Sequence, residues 1–364
     1  MSLRTPLANV KGLGSAKEGA HHWWMQRLHE KLLSPTLPAY AIEDVESQSA
    51  MVSLLHLRAY RISGDDASSF LQGQFTNDVN LVSADQAQLS AYCTPKGRML
   101  AIFYLCQWQN DYLLICPADI AESFMQRLKM YIMRSKVTIT EASDEVLIGI
   151  IDPDHTLQSQ LFSSSCVATD DSNKLHSYAA AYTDDYLCFT LPGPNNRHLM
   201  LCKSAACDEI TQALQKIEHI FPESVWKQMD IMSGLPFVDA HTQELFVPQM
   251  TNMELIEGVS FSKGCYPGQE VVARLHYLGN ANRRMFQFSC QSDKDLTAGD
   301  DIVSSQSDKA IGKVLSIEKT SEQDWIGLAV LRIENIQEDG LQCKDSRITI
   351  TSLPYNVPLE GKKK

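Results

Sequence analysis

Apolar and polar residues alternate along much of the chain, and this pattern predicts many short strands and few helices. The strand pattern occurs before residue 256 at 54–62, 88–94, 98–107, 111–116, 136–140, 146–151, 186–190 and 198–202. Apolar residues spaced at helical intervals predict helices at 20–33, 118–134 and 208–219. A further short helix follows Gly64, with Asp65 or Asp66 as its expected N-cap. Antiparallel strands flanked by helices predict an α+β fold rather than a doubly wound sheet.

The pattern changes after residue 279, where short strands alternate closely with turns. Strands are predicted at 284–290, 301–304, 312–318, 325–332 and 347–351. Regular strand spacing with Gly-Asp and Ser-Asp turns predicts a C-terminal β-barrel domain over 279–356. Before it, we expect an N-terminal extension at 1–50, two interleaved α+β subdomains at 51–255, and a turn-rich loop at 256–278.

Composition limits the class of protein. The 364 residues are 44% hydrophobic and 21% charged, as in a soluble protein of two or three domains. The sequence has no long apolar run and no signal peptide, so we expect a cytoplasmic location and no membrane contact. The net charge of −12 argues against generic nucleic acid binding. None of the ten cysteines forms a C-x-x-C pair, so we expect reduced thiols and no metal site.

One octapeptide, KGCYPGQE at residues 263–270, holds the most reactive candidate side chain. Two glycines and a proline require the backbone to turn here. Lys263 stands two residues before Cys265, and a nearby cation favours the reactive thiolate. The alternative is a tight turn that holds a small buried cysteine beside a surface lysine. If residues 270–277 form a strand, Arg274 and His276 share one face of it.

This octapeptide, the surrounding residues 229–286, and the upstream pieces GDDA (64–67), FLQGQ (70–74) and TND (76–78) resemble the YgfZ family. Its members are folate-binding relatives of the glycine-cleavage T-protein, an aminomethyltransferase. The resemblance runs from about Leu54 to the C-terminus and leaves the first fifty residues outside. It implies a T-protein-like arrangement of three lobes around a central channel, with a barrel at the C-terminus. Residues 51–255 would then form the folate-binding subdomains, with 256–278 as the signature loop.

The resemblance also implies a cofactor, tetrahydrofolate or a derivative, and residues that contact it. A pterin ring requires apolar packing and a few hydrogen bonds, and the anionic glutamate tail requires cations. The candidates in or near the matched motifs are Asn77, Asp78, Lys96, Arg98, Gln269, Glu270 and Arg274. The alternative for each cation is a solvated surface position, and for Asn77 an ordinary loop hydrogen bond.

Two departures from the T-protein pattern concern catalysis. T-proteins carry a paired acid after a Gly-Gly-Ile-Leu stretch, where this chain has Ala101 and Ile102. Neither side chain can transfer a proton. Many relatives place a glutamate where this chain has Met232, with Asp230 nearby. The transferases also lack a cysteine at position 265.

Together with the resemblance, these differences favour the interpretation that the chain is a folate-dependent accessory protein. It would support iron–sulfur cluster assembly or repair in other enzymes, including tRNA-modifying clients. Cys265 would carry the activity and Lys263 would tune it. The alternative is a tetrahydrofolate-dependent one-carbon (aminomethyl-type) transferase with Cys265 as nucleophile or acceptor. A scaffold with a vestigial pocket is the third possibility, favoured if Cys265 is buried and inert. Whether the chain is an enzyme stays open at this point.

Overall fold

The computed structural model describes residues 48–155, 177–194, 196–207, 210, 219–277, 279, 281–304 and 307–359. The predicted helix at 20–33 and nearly all of the one at 208–219 lie outside these residues. The described strands belong to two open sheets and one closed barrel.

A six-stranded sheet combines one early strand with five later ones, in the order β11-β1-β7-β10-β9-β8. Its members are β1 (Ala50–Ser53), β7 (Glu145–Ile151), β8 (Ala180–Tyr182), β9 (Tyr186–Thr190), β10 (Arg197–Lys203) and β11 (His219–Phe221). β1 pairs parallel with β11 and antiparallel with β7, so it lies inside the sheet although it comes first in the chain.

A five-stranded antiparallel sheet is inserted between β1 and β7, in the order β3-β4-β5-β2-β6. Its members are β2 (Leu57–Ser63), β3 (Gln88–Cys93), β4 (Met99–Trp108), β5 (Asp111–Pro117) and β6 (Thr138–Glu141). Helices α1 (Ala67–Gln72) and α2 (Ala118–Lys129) accompany it. α2 packs Phe124 against Tyr92 and Phe103, with ring centroids 5.3 and 5.4 Å apart.

One local prediction in this region was wrong, and another holds only in part. The helix predicted over 118–134 ends at Lys129, and Met133 has a left-handed φ of 46°, which a regular helix cannot continue through. Asp66 is the N-cap residue of α1, one of the two that the sequence offered, but its side chain makes no capping hydrogen bond. Its carboxylate instead accepts a hydrogen bond from the Lys136 backbone N–H at 2.7 Å, while Asp65 pairs with the Lys136 ammonium at 3.0 Å.

The C-terminal strands close into a barrel in the order β12-β15-β14-β13-β16-β17, which confirms the predicted β-barrel. Its members are β12 (Arg283–Gln291), β13 (Asp301–Ser304), β14 (Ser307–Lys319), β15 (Asp324–Arg332), β16 (Leu341–Cys343) and β17 (Ser346–Thr351). Pairing of β12 with β17 completes the closure and removes the free edges.

Helix α3 (Glu223–Met232) joins the barrel to the six-stranded sheet. It contacts β1 of that sheet and β14 and β15 of the barrel. Its Trp226 ring lies so close to Gly149 of β7 that a Cβ there would approach it to 2.5 Å. One buried apolar cluster therefore includes side chains from both open sheets, from α3 and from the barrel.

Residues 269–277 form helix α4 (Gln269–Tyr277), so the strand considered for 270–277 was wrong. Apolar and polar residues there also fit a helix with Val272 buried. Arg274 and His276 are two positions apart on a helix and therefore do not share a face. No helix in the described part of the chain is long and apolar enough to cross a membrane.

Candidate functional site

The signature loop is fastened to the segment that follows α1 by a buried lysine. Lys263 is 7% exposed, and its ammonium donates hydrogen bonds to the carbonyls of Gln72, Phe75 and Asn77 at 2.7, 2.6 and 2.9 Å. It also lies 5.3 Å from the centre of the Tyr266 ring. Burial lowers the pKa of Lys263 to about 8, and the Asp78 carboxylate opposes that shift.

Three more hydrogen bonds join the same two segments. The Ser260 N–H donates to the Thr76 carbonyl at 3.0 Å, and the Thr76 hydroxyl donates to the Gly258 carbonyl at 2.9 Å. The Asn77 amide donates to the Glu257 carbonyl at 2.7 Å, and outside this junction it also donates to the Leu89 carbonyl of β3 at 2.9 Å. Two motifs that lie about 190 residues apart in sequence are therefore held as one unit.

A second junction joins the signature loop to the β3–β4 turn. Gly268 has a φ of +82°, and a Cβ at this position would lie 2.5 Å from the Thr94 carbonyl oxygen and 2.6 Å from the Gly97 Cα. Gly97 has a φ of +72° and packs against Val271 of α4. Only glycine allows the two backbones to approach this closely. Motifs from residues 72–78, 94–98 and 263–271 therefore meet at one place.

Cys265 lies on the exposed side of this assembly. Among the described cysteines, Cys265 is exposed and the other eight are buried. Burial raises the pKa of Cys93 to about 12 and raises the pKa of Cys106, Cys116 and Cys188 further. These four thiols therefore stay protonated at neutral pH. Because it is exposed, Cys265 is the described thiol that solvent and large partners can reach.

The structure gives Lys263 different neighbours from those expected. The sequence predicts that its charge acts on Cys265, whereas its ammonium group donates hydrogen bonds to three carbonyls of another segment. The helix begins four residues after Cys265, and the Gln269 amide reaches back to the Gly264 carbonyl at 3.3 Å. The loop around the thiol is therefore held by side chains that donate hydrogen bonds to backbone carbonyls.

The remaining candidate residues divide into structural and exposed groups. Asn77 and Asp78 are used internally, since Asp78 accepts hydrogen bonds from the Gln72 amide and the Asn80 N–H. The Arg98 guanidinium donates to the Leu245 carbonyl. The exposed side chains are Lys96, Glu270 and Arg274. All of these residues lie in, or next to, the three motifs that meet.

A buried polar cluster that the sequence analysis did not single out lies between the two open sheets. Arg197 of β10 is fully buried, lies 4.9 Å from the Trp226 ring centre, and pairs with Asp230 of α3 at 2.7 Å. The hydroxyls of Tyr104 and Tyr178 are buried nearby and have no hydrogen-bond partner among the described residues. Burial, reinforced by Asp230, raises the pKa of Tyr104, and burial likewise raises that of Tyr178.

Aromatic rings surround this cluster. Phe189 of β9 and Phe237 each lie 5.5 Å from the Tyr104 ring, and Tyr178 lies 6.2 Å from it. The Tyr355 hydroxyl, from the C-terminal tail, donates to the Gly234 carbonyl at 2.8 Å. The sequence offers little indication of this cluster, because single polar residues within apolar strands form no recognisable motif. The cluster is nevertheless where both sheets, α3 and the tail come together.

The position of the T-protein acid holds only apolar side chains. Ala101 and Ile102 lie on β4, are fully buried, and face Tyr92 and Ala91 across the β3–β4 pairing. No proton-transfer group is available at these two positions. In the described ranges, no group of three or more His, Cys, Asp or Glu side chains could hold a metal ion.

The arrangement of two sheets and a barrel is that of a known enzyme fold. The crystal structure of glycine cleavage system aminomethyltransferase T from Bartonella henselae matches it with a TM-score of 0.69 and 13% identity. The match covers 91% of this chain and 96% of that one. The described fold is therefore the α+β aminomethyltransferase T fold with a C-terminal barrel, as expected.

Sequence comparison specifies the family within that fold. Residues 282–355 match the model of the CAF17 C-terminal beta-barrel domain. The tRNA-modifying protein YgfZ of Photorhabdus laumondii is 30% identical over 302 residues, which are 81% of this chain and 89% of that protein. The protein of the same name from Colwellia psychrerythraea is 29% identical over 320 residues, 86% of this chain and 95% of that one. The chain belongs to the YgfZ family.

Proposed function

We propose that this chain is a folate-binding accessory protein of tRNA modification, which acts in the cytoplasm through Cys265. Its clients would be enzymes that carry iron–sulfur clusters, including tRNA-modifying enzymes, and it would support the assembly or repair of those clusters. The observation that carries the proposal is the exposed thiol on a loop fastened at two junctions. The name of the related proteins, tRNA-modifying, supports the choice of clients.

An exposed cysteine suits work on another protein's cluster. The thiolate is the form of cysteine that binds metals and attacks electrophiles or disulfides. A cluster inside a client can be reached only by a thiol that projects from the surface, and Cys265 is exposed whereas the other described thiols are buried. The two junctions, one made by Lys263 and one by Gly97 and Gly268, would hold the loop in one conformation, so that contact with a client costs little ordering entropy.

The polar cluster between the sheets would contact the pterin of a folate. Tyr104 and Tyr178 offer hydroxyl groups without partners, the Arg197–Asp230 pair offers charge, and Phe189 and Phe237 offer flat apolar walls. Asp230 would supply the carboxylate that is missing at Met232. Bound tetrahydrofolate would supply a reduced pterin able to carry a one-carbon unit. The exposed cations Lys96 and Arg274 would attract the anionic glutamate tail.

A one-carbon transferase is the second candidate. The shared fold favours it, but the buried Ala101 and Ile102 leave those positions without a carboxylate. We therefore expect no transfer of an aminomethyl group from the glycine-cleavage carrier protein. Formation of methylene-tetrahydrofolate from that carrier, at the rate of a true T-protein, would favour the transferase over the accessory role.

Calorimetric titration of the whole chain with tetrahydrofolate tests the folate part of the proposal. Saturable binding is expected, and Lys96→Ala or Arg274→Ala should weaken a polyglutamylated folate more than pteroate, which lacks the tail. Lys129→Ala is the matched control, since Lys129 is an exposed lysine at the end of α2, outside the three motifs that meet. If no reduced folate binds at millimolar concentration, this chain is not a folate-binding protein.

A further inference from the structure

A cleft lies where the last turns of α4 meet the barrel, on a part of the molecule not used by the proposed function. Its volume is about 590 Å³, within the range of small-ligand sites. The walls come from residues 249–255, the end of α4, the start of β12 and the residues after β15. Pro358 and Leu359 of the C-terminal tail contribute to the same cleft. Cys265, Arg197 and Asp230 are not among its lining residues.

The floor of the cleft contains a buried ion pair that leaves polar atoms unused. The Arg284 guanidinium pairs with the Glu254 carboxylate and also donates to the Gln249 carbonyl at 2.8 Å. Three atoms of the same side chains lack a hydrogen-bond partner in the described structure: Glu254 Oε2, Gln249 Oε1 and Arg284 Nε. Two are acceptors and one is a donor. Buried polar atoms of this kind normally have partners, so three in one small region indicate that a partner is missing.

One wall of the cleft is flat and aromatic. The His276 imidazole lines the cleft and stacks on Phe261 with ring centroids 3.6 Å apart and planes 18° apart. Leu255, Leu275 and Ile333 add apolar surface. Apolar walls with a few polar groups on one side are typical of sites for planar heterocycles.

We propose that this cleft binds a planar heterocycle through a 2-amino-4-oxopyrimidine edge, the edge that pterins and guanine share. This edge presents adjacent N–H and NH₂ donors beside a carbonyl acceptor. The donors match the Glu254 and Gln249 oxygens, and the carbonyl matches the Arg284 N–H. The ring would pack against the His276 side of the cleft. The proposal is independent of the role of Cys265 and of the polar cluster between the sheets.

Equilibrium titration of the full chain with three probes tests this site and its source. Guanosine and 6-hydroxymethylpterin carry the edge, whereas adenosine is planar and lacks it. We expect saturable binding of guanosine, of the pterin, or of both, and at least tenfold weaker binding of adenosine. Whichever probe binds identifies the source of the ligand. Failure of both, or equal binding of adenosine, would overturn the proposal.

Two variants assign any binding to the cleft. Glu254→Gln replaces one acceptor by a donor of the same size and should weaken binding roughly tenfold or more, as expected for loss of a hydrogen bond to a charged group. Glu334→Gln, at an exposed position of the same cleft, is the matched control and should change little. Ile333→Trp should fill the cleft without touching the ion pair, and so tests occupancy even if Glu254→Gln is unstable. Unchanged binding in Ile333→Trp would place the ligand elsewhere and overturn the proposal.

Discussion

Replacement of Lys263 by methionine removes the ammonium group that fastens the signature loop while it keeps most of the side-chain stem. Three carbonyl oxygens, those of Gln72, Phe75 and Asn77, lose their donor in one step. The sequence suggested that this charge acts on Cys265, whereas the structure directs it at the segment after α1. The two possibilities predict opposite results for the same variant.

The size of the effect follows from the hydrogen bonds and from the cost of burying the charge. Each hydrogen bond to a charged group contributes about 1.5–3 kcal/mol, so three contribute roughly 5–9 kcal/mol. The pKa of Lys263 falls from 10.5 to about 8, a shift that corresponds to roughly 3 kcal/mol against the charged form. We therefore expect Lys263→Met to lower the free energy of unfolding by about 2–5 kcal/mol, within the range for a broken buried polar network.

Amide hydrogen exchange is the suitable assay because it resolves local from global opening. Protection should fall at residues 72–77 and 258–266, while the barrel strands keep theirs. Lys96→Met is the matched control, since Lys96 is exposed in the neighbouring turn. Alkylation of Cys265 by iodoacetamide should proceed at least as fast in Lys263→Met as in the wild type. Slower alkylation with unchanged exchange would show that Lys263 acts on the thiol, and would refute the reasoning.

Three further predictions concern the same loop. Iodoacetamide at neutral pH should modify Cys265 before the eight other described cysteines, because burial shields those thiols and keeps them protonated. Peptide mapping that finds Cys93 or Cys343 modified equally fast would contradict this. Gly268→Ala should lower the free energy of unfolding by about 2 kcal/mol or more, because residue 268 has a positive φ and the new Cβ would clash with the Thr94 carbonyl. Gly264→Ala is the control and should cost little, since a Cβ there would have no atom within 4 Å. Between pH 7 and 9.5 the free energy of unfolding of the wild type should rise by about 2 kcal/mol relative to that of Lys263→Met. The reason is that Lys263, with a pKa of about 8 in the folded protein, binds fewer protons there than in the unfolded chain. Parallel pH profiles of the two proteins in urea unfolding would refute this.

Local patterns were sufficient to predict most of the strands. The strand β9 has the predicted bounds, and β3, β4, β5 and β7 agree to within one residue at each end. Four strands of three or four residues, β1, β8, β11 and β16, were missed, because so few residues carry little periodicity. The equally short strands β6 and β13 were predicted. Helix α4 was not predicted, and a strand was considered for residues 270–277, because their apolar and polar residues fit both periods.

The contacts of the site residues were predicted less completely than the strands, because their partners lie far away in the sequence. Sequence placed Lys263 next to Cys265, but its hydrogen-bond acceptors lie 186–191 positions away and only the fold brings them near. Arg197 and Asp230 come from different elements and form one cluster only when β10 and α3 pack. The pairing of Gly97 with Gly268 likewise depends on two turns meeting in space.

Restoration of a cluster-dependent tRNA modification tests the central claim most directly. In cells that lack their own copy of the protein, modified nucleosides would be quantified by mass spectrometry after introduction of wild type, Cys265→Ser or Ser262→Ala. Ser262 is exposed three residues from the thiol and serves as the matched control. We predict that wild type and Ser262→Ala restore the modification and that Cys265→Ser, expressed at the same level, does not. Full restoration by Cys265→Ser would contradict the account, because the exposed thiol would then have no part in the function.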